Sequence, residues 1–281
     1  MNIQTQCLLT EIGKFTPAAI LPSLTSIIRD GEESSINYFE NLGNQGLLDY
    51  KQLEHDVRFM QKCDKSAAIL FLHLLRHSKS QLRQDVHVLL RNNMKENGYF
   101  VEIGAHDGIS FSNTYMLEQI FNWKGIVVEP SPQFNTLIRK NRSCFVDTRC
   151  VYTKSNKIVD FVEHKSSSLS GIQCYNDANR AELSGKESRV IQLNTISLND
   201  LLGHYEAPSI IDYISVDTEG SEFSILENFD FGKYKVQFFS IEHNYSSMRD
   251  DLTHLMETNG YKRIMEEYSQ WDDWYVPTNS R

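Results

Sequence analysis

Two glycines and a carboxylate near the middle of the chain have the spacing of a ligand-binding turn. Glu102 lies at the end of the apolar run Tyr99–Ile103, and Gly104 and Gly108 follow it four residues apart. Glycine lets a ligand approach the backbone closely, because it has no Cβ to clash. The spacing differs from G-x-G-x-x-G, in which a pyrophosphate lies on a helix N-terminus. A carboxylate here would repel pyrophosphate but would suit a cationic ligand that carries an amino group.

A second carboxylate follows at the distance expected of a ribose-binding residue. Residues 125–128 form another short apolar run, and Glu129 ends it 21 residues after Gly108. In doubly wound α/β sheets, an acid at the end of the second strand, ~20 residues after the glycine turn, accepts hydrogen bonds from ribose hydroxyls. The pair of features therefore predicts a nucleoside-containing ligand. A turn with a purely structural role is the alternative.

A parallel sheet would bring these residues together, because its strands end at a common edge. Short apolar runs alternate with stretches in which apolar residues have helical spacing, as is typical of α/β folds. The runs predict strands at 99–103, 125–128, 144–146, 210–216 and 236–241, then an antiparallel pair at 261–265 and 271–276. Polar side chains follow the fourth and fifth of these strands, at Asp217 and at residues 242–244. Ligands bind at such strand ends, so these side chains are candidates for chemistry.

The remaining segments are less regular. Residues 157–162 alternate as a further strand, whereas residues 164–190 are polar, serine-rich and without periodicity. Loops of that length are typically lids, binding loops or disordered, and we interpret this one as a substrate lid, with disorder as the alternative. Residues 194–202 predict an N-capped helix. We expect a helical accessory segment over residues 1–79 and the ligand-binding domain over residues 80–281.

Composition argues against several classes of function. The 281 residues carry 28 Lys and Arg against 37 Asp and Glu, a net charge of −9, so the basic footprint of a nucleic-acid-binding protein is absent. The longest apolar run, residues 67–72, is far shorter than the ~20 residues that span a bilayer. The N-terminus has no basic region before its apolar residues, and the five cysteines include no C-x-x-C pair. These features predict reduced thiols, no transmembrane segment and a cytoplasmic location.

Several motifs, taken in order, resemble one family of enzymes. VEIGAHDGISFSNTYMLE, WKGIVVEPSP, TISLNDLL and IDYISVDTEGSEFSILENF resemble the FkbM family of S-adenosylmethionine-dependent methyltransferases over about residues 80–276. The most specific part is the D-x-E-G-x-E segment at residues 217–222. The resemblance implies a class I methyltransferase fold, which is an α/β, Rossmann-like, seven-stranded and mostly parallel sheet. It also implies methyl transfer from S-adenosylmethionine to a hydroxyl of a sugar, a glycan or a natural-product small molecule.

The resemblance implies roles for individual residues. Glu102, Gly104, Ala105 and Gly108 would form the cofactor loop, and Glu129 would bind the ribose. The other site candidates come from their positions in the chain. His106, where the family often has Asn, and Asn113 are candidate cofactor contacts, and Asp147, with Cys150 close by, lies at the third strand end, which usually flanks the adenine. Glu219 and Glu222 are candidate substrate contacts, with a structural salt bridge as the alternative for Glu222.

Methylation of oxygen needs a device that makes a hydroxyl nucleophilic, either a general base or a metal ion. In one version Asp217 and His243 form the catalytic pair, and His243 takes the proton. In the other, Asp217, Glu242 and Asn244 supply the oxygen ligands that Mg²⁺ prefers. Asp217 could instead cap a helix. A noncatalytic interaction protein that retains the fold is the alternative function, and homo-oligomerisation also stays open.

Overall fold

The computed structural model describes residues 50–63, 65–165, 169–175 and 187–279. Contacts divide these residues into two compact units, of which the first contains residues 50–78 and 89–94. That unit holds helices α1 (Tyr50–Lys62) and α2 (Lys65–Leu75), with the rings of Phe59 and Phe71 4.7 Å apart. The helices agree with the predicted N-terminal helical segment, of which residues 1–49 lie outside the described residues.

The second unit contains residues 79–88 and the described residues from 95 onward, and it is built on strands. In chain order these are β1 (Tyr99–Ile103), β2 (Lys124–Val128), β3 (Phe145–Asp147), β4 (Cys150–Tyr152), β5 (Ile158–His164), β6 (Gly171–Ile172), β7 (Ser188–Ser197), β8 (Ile210–Ile211), β9 (Tyr213–Val216), β10 (Lys235–Val236), β11 (Phe239–Glu242), β12 (Tyr261–Ile264) and β13 (Asp272–Pro277).

Seven of these strands form one sheet in the order β12-β13-β11-β9-β1-β2-β3. Strand β13 is antiparallel to both of its neighbours, and the pairs from β11 through β3 are parallel. This is the strand order of class I methyltransferases, so the predicted α/β fold with a mostly parallel sheet is confirmed. The order reverses beside β1, where β9 and β2 flank it, and a crevice opens at such a reversal point.

Helices cover the sheet. After α3 (Gln84–Arg91), the helices are α4 (Tyr115–Phe121), α5 (Asn135–Asn141), α6 (Leu198–His204), α7 (Glu222–Leu226) and α8 (Arg249–Thr258). The central strands are buried along most of their length, as expected of a parallel sheet that is covered on both faces. Val101, Ile126, Ile214 and Ile241 from four neighbouring strands are fully buried in one core cluster. Within the described ranges, no helix is both long and apolar enough to cross a membrane.

The strand predicted over residues 210–216 is interrupted at Asp212. The Asp212 carboxylate accepts hydrogen bonds from the backbone N–H of Tyr99 at 2.9 Å and from the Lys95 ammonium at 2.6 Å. The two halves pair with different partners, since β8 pairs with β10 and β9 pairs with β1 and β11. The acid within the predicted apolar run therefore divides it into two short strands.

The polar segment predicted as a loop over residues 164–190 is partly strand. Strand β7 pairs with β5 along seven residues, and β6 extends the same four-stranded sheet, whose order is β4-β7-β5-β6. Residues 194–197 belong to β7, so the helix predicted at 194–202 begins at Leu198, with Ser197 as its N-cap. Residues 166–168 and 176–186 lie outside the described residues, and the lid stays a prediction.

Candidate active site

A cavity of about 520 Å³ opens at the carboxyl ends of β1, β2, β9 and β11. Of the residues expected to do chemistry, its lining includes Gly104, His106, Asn113, Glu129, Asp217, Glu219, Glu242 and Asn244. Among the described residues that line it, none is Lys or Arg. A cavity with four carboxylates and no basic counterpart favours a cationic ligand, because it offers an anion no compensating charge.

The glycine turn ties three strands together. The backbone N–H groups of Gly104 and Ala105 both donate to the carbonyl oxygen of Val128 at 3.0 Å. Gly104 has φ +90°, and a Cβ there would lie 1.9 Å from the backbone carbonyl oxygen of Asp217. A side chain at this position is therefore excluded by space as well as by conformation. Gly108 also has a positive φ, of +84°.

Glu129 faces the cavity and can accept further hydrogen bonds. Its carboxylate accepts one hydrogen bond at each oxygen, from the backbone N–H of His106 and of Ser131, both at 2.8 Å. Burial raises the pKa of Glu129 to about 7, and the negative charge of Asp217 adds to the effect. A carboxylate can accept about four hydrogen bonds, so two ribose hydroxyls fit here.

The ring of His106 forms part of the cavity wall. It lies 3.9 Å from the ring of Phe134, centroid to centroid, and its Nδ1 is buried without a hydrogen bond. Burial lowers the pKa of His106, which favours a neutral ring. We expect an aromatic contact with the cofactor here rather than a charged one.

Glu102 lies behind the turn and outside the cavity lining. One carboxylate oxygen accepts from the backbone N–H of Asn113 at 2.6 Å. The other accepts from the hydroxyls of Ser112 and Thr114, at 2.9 and 2.5 Å, and lies 3.2 Å from the fully buried guanidinium of Arg142. Glu102 therefore holds the segment after the turn in place.

An apolar wall occupies the region where adenine was expected, and Asp147 lies outside it. Burial alone would raise the pKa of Asp147, but hydrogen bonds from Arg149 outweigh it and lower the pKa. The Asp147 carboxylate accepts from the Arg149 guanidinium at 2.5 Å. Cys150, which was also predicted to lie near the adenine, does line the cavity, beside Val151, Phe161 and Ile172.

Three carboxylates meet at the ends of β9 and β11. Oxygens of Asp217, Glu219 and Glu242 lie within 4.8 Å of one another. One oxygen of Glu242, Oε2, is buried without a hydrogen-bond partner. Asn244 lies beside the cluster, with its side-chain nitrogen 3.4 Å from Glu219 Oε2. In this arrangement Asn244 supports Glu219, and Glu219 completes the cluster.

The carboxylates of this cluster hold protons more tightly than exposed acids do. Burial raises the pKa of Asp217 to about 7, helped by the negative charges of Asp272 and Glu222. Burial and the charge of Asp217 also raise the pKa of Glu242 well above its ordinary value. Neighbouring carboxylates that cannot all ionise either share a proton or bind a cation.

Two residues predicted for the site point elsewhere. Glu222 accepts from the backbone N–H groups of Thr218 and Gly220 at 2.7 and 3.1 Å, so it closes the turn before α7. His243 accepts at Nδ1 from the backbone N–H of Tyr245 at 2.9 Å. Its Nε2 lies 3.7 Å from Asp273, on the side away from the cavity. Neither residue lines the cavity.

Some lining residues carry no signal in the sequence. Phe111 and Tyr245 line the cavity with 53% and 68% of their surface exposed, and Trp271 lines it from the loop before β13. Loop aromatics follow neither strand nor helix periodicity, so pattern reasoning does not find them. They supply aromatic surface to the cavity wall.

A search of curated proteins found no match. Solved structures match weakly. A precorrin-6y C5,15-methyltransferase from Geobacter metallireducens has 11% identity and a TM-score of 0.37, covering 68% of this chain and 85% of that one. An S-adenosylmethionine-dependent methyltransferase from Aquifex aeolicus has 9% identity, a TM-score of 0.35, and coverage of 69% and 89%. The N-terminal domain of human METTL16 has 12% identity, a TM-score of 0.39, and coverage of 75% and 80%.

A family model gives the decisive match. The model described as the methyltransferase FkbM domain matches residues 102–263, which is more than half of the chain. The matched range begins at the glycine turn and includes both Glu129 and the acid cluster. It therefore contains every strand end that forms the cavity. The chain belongs to the FkbM family of S-adenosylmethionine-dependent methyltransferases.

Proposed function

We propose that this methyltransferase acts on a hydroxyl oxygen of a sugar, a glycan or a natural-product small molecule, and that Asp217 and Glu242 activate the hydroxyl. The observation that carries the proposal is the meeting of these carboxylates at the ends of adjacent strands, inside the cavity. A hydroxyl is a weak nucleophile at neutral pH.

The cavity fits S-adenosylmethionine. Gly104 lines the cavity, Glu129 retains lone pairs for ribose hydroxyls, and the apolar wall at Val151 and Phe161 suits a flat base. When bound, the cofactor supplies an electrophilic methyl group on a positively charged sulfur. The acidic lining complements that charge.

The protein's own part is to receive the hydroxyl proton. With a pKa of about 7, Asp217 is suited to act as a general base near neutral pH. Glu242 can share the proton, since its pKa is also raised. His243 is turned away from the cavity toward Asp273, so we assign the proton to the carboxylates rather than to the imidazole.

The same cluster fits a divalent cation such as Mg²⁺. Asp217, Glu219 and Glu242 offer oxygen donors within 4.8 Å of one another, and Glu242 Oε2 has no hydrogen-bond partner. Such an ion supplies a Lewis acid that lowers the pKa of a bound hydroxyl. We propose Glu219 as the third ligand in place of Asn244, whose side-chain nitrogen faces Glu219.

The test is transfer of a labelled methyl group to a panel of glycosides and hydroxylated small molecules, with mass spectrometry to locate the label. We expect Asp217→Asn to lower kcat/KM by about 100-fold or more, as loss of a general base does. Asp251→Asn, an exposed acid in the first turn of α8, is the matched control and should keep wild-type turnover. Label on nitrogen, or full activity of Asp217→Asn, would contradict the proposal.

Metal dependence is measured separately. Binding of Mn²⁺ to the acid cluster can be measured by electron paramagnetic resonance in the absence of substrate. We expect Glu219→Gln to weaken this binding and Asn244→Leu to change it less. If Mn²⁺ does not bind and chelators leave turnover unchanged, the metal version is wrong and proton sharing remains.

A further inference from the structure

We propose that the side-chain carbonyl of Asn113 binds the ammonium group at the amino-acid end of the cofactor. The sequence pattern gives this role to Glu102, the acid beside the glycine turn. The inference rests on the cofactor lying in the cavity described above. It concerns which residue recognises one end of that cofactor.

Glu102 has almost no exposed surface or free hydrogen-bond acceptor capacity for a ligand. It is 2% exposed, and both of its oxygens accept hydrogen bonds from the segment at residues 112–114. Its charge is already compensated by Arg142 at 3.2 Å. An ammonium group that reached Glu102 would have to displace these contacts. The bond to the backbone N–H of Asn113, at 2.6 Å, instead fixes the position of that residue.

Asn113 has the opposite character, since it lines the cavity and has an unused acceptor. Its Nδ2 donates to the hydroxyl of Ser215 at 2.9 Å, whereas its Oδ1 is buried without a partner. Nearly all buried acceptors in proteins are satisfied by protein, water or ligand. A cationic donor suits this oxygen best, because hydrogen bonds to charged groups are stronger than neutral ones.

A chain of buried hydroxyls holds Asn113 in place. The Ser240 hydroxyl donates to the Ser215 hydroxyl at 3.3 Å, and the hydroxyls of Tyr213 and Ser240 are hydrogen-bonded at 2.6 Å. In this arrangement Ser215 accepts from the amide nitrogen of Asn113, and the amide oxygen has no protein partner.

The strand order supports the same assignment. Glu129 ends β2, whereas Asn113 is held by Ser215 of β9, and these two strands flank β1 on opposite sides. A cofactor with its ribose on Glu129 extends across the end of β1, with its amino-acid end toward β9. Asn113 lies on that side.

The test compares two ligands in two proteins by calorimetry. The ligands are S-adenosylhomocysteine and its analogue without the amino group, and the proteins are wild type and Asn113→Leu. Leucine has a similar volume but no acceptor. In the wild type, loss of the amino group should weaken binding about 10-fold to 100-fold, as expected for a charge-assisted hydrogen bond. In Asn113→Leu the two ligands should bind within about threefold of each other.

Two controls keep the result interpretable. Methylthioadenosine lacks the amino-acid end, so it should bind both proteins equally, and its binding shows that the variant is folded. If Asn113→Leu does not fold, Asn113→Asp replaces it, and the preference for the amino group should be at least that of the wild type. The inference is overturned if that preference is the same in wild type and Asn113→Leu, or disappears in Asn113→Asp. Failure of every adenosine ligand to bind wild type would instead refute cofactor use in this cavity.

Discussion

The ribose contact of Glu129 gives a quantitative prediction for the variant Glu129→Gln. In the wild type each carboxylate oxygen accepts one backbone N–H, from His106 or from Ser131. An amide has one oxygen, so its NH₂ group must face one of these two donors. It also offers the ribose a neutral acceptor in place of a charged one. Hydrogen bonds to charged groups contribute ~1.5–3 kcal/mol, so we expect S-adenosylhomocysteine to bind about 10-fold to 100-fold more weakly at pH 8.5.

The pKa of Glu129 adds a second, independent signature. In the folded protein this pKa is raised from 4.5 to about 7, and ribose hydroxyls donate best to the ionised form. Protons therefore compete with the ligand as the pH falls below 7, and wild-type affinity should drop about tenfold per pH unit. Because this pKa is higher in the folded protein than in the unfolded chain, protonation of Glu129 stabilises the folded state, and the contribution is complete below pH 4.5. This contribution is lost as the pH rises through about 7.

The measurement is isothermal titration of S-adenosylhomocysteine at intervals from pH 5.5 to 8.5. Asp217 and Asp272 also titrate near pH 7, so the informative quantity is the difference between wild type and variant. We expect the wild type and Glu129→Gln to converge at low pH. Glu227→Gln, at an exposed position, serves as the control and should follow the wild type. Equal affinities at pH 8.5, or parallel pH profiles, would refute the assignment of Glu129 to the ribose.

Two further predictions concern stability. Gly104→Ala should lower the free energy of unfolding by more than about 2 kcal/mol, because its Cβ would lie 1.9 Å from a backbone oxygen. Gly203→Ala, with open space around the added Cβ, should be neutral or stabilising; equal effects would contradict the steric argument. Arg142→Met should lower the free energy of unfolding by about 3–5 kcal/mol, because it leaves two buried carboxylates unpaired. Lys165→Met, which breaks an exposed pair with Glu187, should cost less than about 1 kcal/mol, and urea unfolding measures both.

Spacing along the sequence predicts positions at the ends of strands well. Apolar runs that are typical of buried strands precede the glycine turn, Glu129 and Asp217. A parallel sheet brings the carboxyl ends of such strands to one edge. The direction of a side chain is harder to predict, since it depends on distant partners. Glu102 turns away from the cavity because Arg142, 40 residues later, and the hydroxyl of Thr114 hold it.

Long-range pairing is also hidden from local patterns. Strand β7 forms because β5, about 30 residues earlier, offers it an antiparallel edge, although its own first residues look like a polar loop. The boundary proposed at residue 79 rests on motif coverage alone and stays a prediction. A protein truncated before residue 80 that still binds S-adenosylhomocysteine would support it.

The D-x-E-G-x-E segment shows how three acids within six residues acquire separate roles. Asp217 directly follows β9 and lines the cavity. Glu219 and Gly220 then take positive φ values of +60° and +119°, a reversal that brings the Glu219 carboxylate into the cluster with Asp217. Glu222 stabilises this reversal by accepting the backbone N–H of Gly220 at 3.1 Å. The spacing of the motif thus follows from geometry: one acid ends the strand, one is turned into the cavity, and one holds the turn closed.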